Sequence, residues 1–140
     1  MTYTSPTDDD LRRIYATTTT IAVVGASTDP DKAGHYIPEY LKGVGYQVIP
    51  VNPNAEQIWG VKAYPSLQDI PEDVTIDVVD VFRPSEETPD IARSAVERGA
   101  SVLWLQEDIY NEEAADIAHE GGLEVVMDKC MGATHRRLFR

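Results

Sequence analysis

Five short apolar runs separated by segments of helical periodicity constrain this chain more than any other feature. Residues 21–24 read Ile-Ala-Val-Val and stop at Gly25. A run without alternation marks a strand covered on both faces. Residues 46–51, 76–82, 101–105 and 123–127 read as further strands, the first of these closing at Asn52-Pro53. Between the runs, apolar residues recur at three- and four-residue spacing. Residues 34–44 carry Ile37, Tyr40, Leu41 and Val44, and residues 84–98 turn Ile91, Ala92, Ala95 and Val96 inward. Residues 111–120 present Ala114, Ala115 and Ala118, and residues 133–139 form a closing helix. A short first helix follows Thr7-Asp8-Asp9-Asp10, with acids at its positive end. Pro38 is expected in the first turn of its helix, because an interior proline removes a backbone hydrogen bond. Residues 54–73, with Trp59-Gly60, Pro65 and Pro71, are expected to be loops with one short strand. The alternation predicts an α/β chain: a Rossmann-like, doubly wound parallel sheet in a single domain over 1–140, with 1–7 a loose N-terminal segment.

Charge narrows the function. Twenty-four Asp and Glu against twelve Lys and Arg give a net charge of −12 over 140 residues. Such a surface repels phosphate backbones and acidic lipid, so nucleic acid and membrane partners are excluded. One cysteine, Cys130, excludes a disulfide framework. The three histidines, His35, His119 and His135, lack ligand spacing, so no metal site is expected. No leader and no long apolar run is present, which predicts a cytoplasmic protein. The acids are spread along the chain rather than clustered, which fits either a surface tuned for solubility or adaptation to a saline cytoplasm, where screening removes self-repulsion; the second is the expectation.

In sheets of this class ligands bind beyond the carboxyl ends of the strands. After the first strand the chain reads Gly25-Ala26-Ser27-Thr28-Asp29-Pro30-Asp31-Lys32-Ala33-Gly34. This small-residue turn into a helix offers free N–H groups to an anion, with Gly25 permitting close approach, Ser27 a hydroxyl and Lys32 a charge. It matches neither the G-x-G-x-x-G fingerprint nor the P-loop. The second strand ends Val51-Asn52-Pro53, without the acid that grips the ribose of NAD. The third ends Val81-Phe82-Arg83-Pro84. There Val81 and Phe82 would form an apolar wall, and Arg83 either binds a phosphate or pairs with Glu86 or Glu87. Gln106 is the polar group at the fourth strand's end, and Trp104 before it belongs to the core. Cys130 is either a reactive thiol beside Lys129 or a small buried hydrophobe.

Several of these segments occur together in a fixed order. They are Gly25-Ala26-Ser27, Gly45-Tyr46-x-Val48-Ile49-Pro50-Val51-Asn52-Pro53, Gly60 with Tyr64-Pro65-Ser66-Leu67, Asp80-Val81-Phe82-Arg83-Pro84, Trp104-Leu105-Gln106 and Gly122-Leu123-x-Val125-Val126-Met127-Asp128-x-Cys130. With these the chain resembles the small CoA-binding domain proteins, single-domain relatives of the CoA-binding domain in the alpha subunit of succinyl-CoA synthetase. The resemblance implies a Rossmann-like fold holding coenzyme A or an acyl-CoA across the strand ends. It implies phosphate contacts from Gly25, Ala26, Ser27 and Lys32, a nucleotide bordered by Asn52 and Pro53, and a crevice completed by Val81, Phe82, Arg83 and Gln106. The chain departs from the family at Glu107-Asp108-Ile109, where a glycine is usual before the apolar residue, and at Ala133-Thr134-His135, where an acid commonly precedes the histidine. The synthetases add a phosphohistidine domain and a nucleotide-grasp subunit, for which 140 residues leave no room. Binding without ligase chemistry is therefore the expectation. Two alternatives stay open: a small NAD(P)- or CoA-dependent enzyme using Cys130, and a nucleotide-sensing regulatory subunit docking through Trp59 or the helix carrying Tyr40. A protein partner or a homo-oligomer also stays open.

Overall fold

The structure, a computed structural model, describes residues 3–139. Its elements begin with α1 (Asp8–Thr17), β1 (Thr20–Val24), α2 (Ala33–Gly43), β2 (Gln47–Val51), β3 (Gln57–Ile58) and β4 (Val61–Lys62). They continue with β5 (Val78–Val81), α3 (Thr88–Glu97), β6 (Val102–Leu105), α4 (Glu112–Glu120), β7 (Glu124–Val126) and α5 (Met131–Leu138). Five strands form one parallel sheet in the order β2-β1-β5-β6-β7, the Rossmann-like α/β arrangement expected. From β1 the chain moves outward to β2, then returns to β5 on the other side of β1. That reversal opens a crevice at the carboxyl ends of β1 and β5.

Each strand sends alternate side chains to two cores. Ile21, Val23, Val78, Val102 and Trp104 meet α1, α2 and α5 through Leu11, Ile14, Tyr15, Leu41 and Met131. Ala22, Val79, Val81, Leu103 and Leu105 meet α3 and α4 through Ala92, Ala95, Ala114 and Ala118. Trp104 is fully buried, as expected, and its indole N–H donates to the Lys129 carbonyl at 2.8 Å. Arg98, at the end of α3, donates to the carbonyls of Leu67, Ile70, Pro71 and Val74 at 2.6–3.0 Å. One guanidinium thus fixes a loop that has little regular structure of its own.

Four local expectations change. Pro38 lies inside α2 rather than in its first turn. Residues 54–73 contain two short strands, not one: β3 and β4 pair antiparallel, with Trp59 and Gly60 at positive φ (56° and 73°) between them. Positive φ at both central residues suits a tight hairpin. A 3-10 turn, Ser85–Glu87, precedes α3, and α5 starts at Met131, two residues before the expected 133. Within the segment expected to be loose, Thr7 caps α1 in a capping box with Asp10, and the Tyr3 hydroxyl accepts the Met127 N–H at 3.0 Å. The first two residues of that segment lie outside the described residues.

The ion pairs are superficial. Arg12–Asp9, Arg13–Glu124, Arg93–Asp90 and Arg137–Asp8 all join side chains about half exposed or more. Paired one to one, twelve cations can neutralise only half of the twenty-four acids. Excess surface charge opposes the compact state until salt screens it over roughly 3 Å at molar strength. The thermal midpoint is therefore expected to rise by several degrees from dilute buffer to molar potassium chloride. A midpoint indifferent to chloride, measured calorimetrically, would remove the salt adaptation.

Candidate functional site

The loop joining β1 to α2 is held by close backbone contacts. Gly25 has φ +88°, and a Cβ there would stand 2.8 Å from the Phe82 carbonyl oxygen. A Cβ on Gly34 would stand 2.7 Å from the Gly25 carbonyl oxygen. The Ser27 N–H donates to the Gly34 carbonyl at 3.1 Å. That carbonyl would ordinarily accept from the residue four positions on, which is Pro38 and has no N–H. The interior proline thus frees an acceptor for the loop. Asn52, at the end of β2, donates from Nδ2 to the Ala26 carbonyl at 2.9 Å and accepts the Asn54 N–H at 2.7 Å. His35 Nδ1 donates to the Ser27 carbonyl at 2.7 Å. The Ser27 hydroxyl accepts the Asp29 N–H at 3.0 Å and keeps its own proton to give. Ala33 and Gly34 open α2, so their N–H groups have no intrahelical acceptor and sit at its positive end.

These groups form one end of an open cleft of about 1280 Å³ at the strand ends. Nine of the expected residues line it: Gly25, Ala26, Ser27, Lys32, Asn52, Pro53, Phe82, Arg83 and Gln106. Val81 does not. Its side chain has no exposed surface and is covered within the core under α3 and α4. Lys32 is exposed and has no ion pair among the described residues. Arg83 instead grips Glu87, with Nε to Oε1 at 3.1 Å and Nη2 to Oε2 at 2.9 Å. That double hydrogen bond holds the Glu87 carboxyl below the usual range. Gln106 is nearly fully buried, and its Oε1 accepts the Met131 N–H at 3.1 Å, joining β6 to the start of α5.

Nothing in the sequence marked Tyr40, Arg136 or the start of α5 as lining the cleft. Tyr40, Arg136 and the first turn of α5 share the cleft, because α5 folds back against α2. The Arg136 guanidinium lies over the Tyr40 ring, 4.7 Å from its centroid, and the Tyr40 hydroxyl meets His135 Nδ1 at 3.0 Å. Burial among Tyr15, Tyr40, Tyr46 and Phe139 lowers the His135 pKa. Cys130 lines the cleft as the N-cap of α5, its Sγ accepting the Ala133 N–H at 3.3 Å. Asp108, where the resemblance led to the expectation of a glycine, takes φ +70°. Asp tolerates the left-handed region better than most side chains, so the loop keeps a glycine-like course. Trp59 is half-buried, its indole N–H donating to the His35 carbonyl at 2.9 Å.

One buried group has no partner. Asp80, on β5, has no exposed surface, and neither carboxylate oxygen has a hydrogen-bond partner among the described residues. Burial raises its pKa well above the ordinary 3.8. The only sequence sign was one acid inside Val78-Val79-Asp80-Val81.

A parallel sheet with a glycine turn at its reversal point and a cleft across the strand ends defines a Rossmann-like nucleotide-cleft domain. Residues 19–136 match the CoA binding domain family, so the chain belongs to that family. The Bacillus subtilis protein YneT is 40% identical over 131 residues, covering 94% of this chain and 96% of its own. The alpha subunit of the ADP-forming acetate–CoA ligase II of Pyrococcus furiosus is 32% identical, but the chain spans only 28% of it. A hypothetical protein from Pyrococcus horikoshii superposes with a TM-score of 0.92 at 41% identity over the whole of both chains. Among the described residues no helix is long and apolar enough to cross a membrane.

Proposed function

We propose that this protein binds coenzyme A or an acyl-CoA in the cleft and performs no ligase chemistry of its own. The observation that carries the reading is the pre-formed β1–α2 loop. The carbonyls of Ala26, Ser27 and Gly34 and the Ser27 amide are tied internally, while the Ala33 and Gly34 amides, the Ser27 hydroxyl and Lys32 stand at the cleft. An anion meeting such a loop needs little reorganisation. The end of β2 supports a ribose bearing phosphate, since Asn52 offers no carboxylate there. Among the described residues nothing hydrogen-bonds to Cys130 as a base, which favours binding over thiol catalysis. A cytoplasmic setting, where such ligands occur, completes the reading.

Calorimetry with CoA, acetyl-CoA, NAD, NADP and ATP tests it. CoA or acetyl-CoA binding at least ten-fold tighter than the other three is the expected result. Lys32→Ala should weaken CoA binding about ten-fold, the scale of a charge-assisted contact. Arg83→Ala should weaken it less, because Arg83 must first leave Glu87. Unchanged affinity in both variants would remove this site.

A further inference from the structure

Among the described residues, Arg136 is the arginine that pairs with neither a carboxylate nor a carbonyl. The other described arginines are committed: Arg12, Arg13, Arg83, Arg93 and Arg137 to carboxylates, and Arg98 to four carbonyls. Among the described residues Arg136 has neither kind of partner, although the chain carries twice as many acids as cations. It lies on the Tyr40 ring and lines the cleft. A stacked guanidinium keeps its in-plane donors free and loses little side-chain entropy on binding an oxyanion.

Position separates it from the β1–α2 loop. Lys32 caps α2 and Tyr40 lies eight residues further on, about 12 Å along a helix rising 1.5 Å per residue. A diphosphate held at the loop lies at the start of that span, and the backbone of Tyr40, whose ring carries Arg136, lies at its far end. We propose that Arg136 forms a second anion subsite of the cleft, reading a charged group of the ligand remote from the diphosphate. The inference rests on the cleft taking a CoA-type ligand. Two groups of such a ligand have this chemistry: a phosphate monoester on the ribose and a carboxylate at the end of an acyl chain.

The test measures Kd for CoA, 3′-dephospho-CoA, acetyl-CoA and succinyl-CoA with wild type, Arg136→Gln and Arg137→Gln. Arg137 pairs with Asp8 and does not line the cleft, so its variant removes the same charge without the subsite. Arg136→Gln should weaken the ligand bearing the remote anion by about ten-fold or more and the counterpart that lacks only that anion less than two-fold. A lost preference for CoA over 3′-dephospho-CoA assigns the ribose phosphate. A lost preference for succinyl-CoA over acetyl-CoA assigns an acyl carboxylate. Equal weakening of all four ligands would put Arg136 on the diphosphate and overturn the subsite, as would Arg136→Gln behaving like Arg137→Gln. A wild type that binds none of the four overturns the CoA reading itself, and the subsite with it.

Discussion

Replacing Asp80 with asparagine is expected to raise the thermal midpoint by several degrees at about pH 8 and hardly at all at about pH 4. The wild-type carboxyl is fully buried without a hydrogen-bond partner among the described residues, and desolvation raises its pKa well above 3.8. A raised pKa in an acid means that the folded state holds the proton more tightly than the unfolded state. Its contribution to stability is therefore fully present below about pH 3.8. As pH rises from there toward the raised pKa it is lost, at up to about 1.4 kcal/mol per pH unit. Above the raised pKa there is no further loss. Asparagine has nearly the same shape and never ionises, so the variant gains on wild type across that window and keeps the gain above it. At this chain length each kcal/mol moves the midpoint by roughly 3 °C.

Other carboxyls titrate in the same range with the opposite sign. Hydrogen bonds to Arg137, Thr7 and Arg83 lower the pKa values of Asp8, Asp10 and Glu87, so acidification removes their contributions. They are common to both proteins and cancel in the difference of midpoints. That difference, measured by calorimetry at a series of pH values, isolates Asp80. A constant difference from acid to alkaline pH would show that Asp80 does not carry an elevated pKa.

What the sequence disclosed followed from how local the determining interactions are. A strand covered on both faces is apolar almost throughout, so β1 and β6 were legible from residue type alone, and β5 was legible in spite of Asp80. The β1–α2 loop was legible because a glycine turn after a buried strand has few uses. Val81 was misplaced because proximity to a strand's end says nothing about whether neighbouring side chains cover a residue completely; Val24 and Val51, against the same core, do line the cleft. Pro38 was assigned to a helix start on local grounds, but in α2 its missing N–H serves Ser27, eleven residues earlier in the chain. The Arg83–Glu87 pair was one of two readings that spacing alone could not separate. Arg136 could not be found from spacing at all, since its place in the cleft depends on α5 returning to α2 through Gly132, where a Cβ would meet Ile37 at 3.1 Å.

Gly25→Ala should be the most damaging single-methyl change in the site, and Gly122→Ala shows why. Both glycines have nearly the same φ, +88° and +89°. An L-residue held there costs about 1–2 kcal/mol. At Gly122 nothing lies within 4 Å of the added Cβ, so the conformational penalty acts alone. At Gly25 the methyl also meets the Phe82 carbonyl oxygen at 2.8 Å and the Arg83 side chain at 3.0 Å. The carbonyl cannot yield freely, because the Phe82 N–H is bonded to Val24 at 2.8 Å and fixes that peptide chain beside β1. Overpacking of this kind adds about 1–3 kcal/mol. Gly25→Ala should therefore lower the midpoint by about 10 °C, against roughly 3–6 °C for Gly122→Ala. It should also weaken ligand binding at least ten-fold where Gly122→Ala leaves it unchanged, because relieving the contact moves the loop away from the start of α2. Equal midpoints for the two variants would mean that the loop has slack to absorb a methyl, and a loop with that slack would not be pre-formed for an anion.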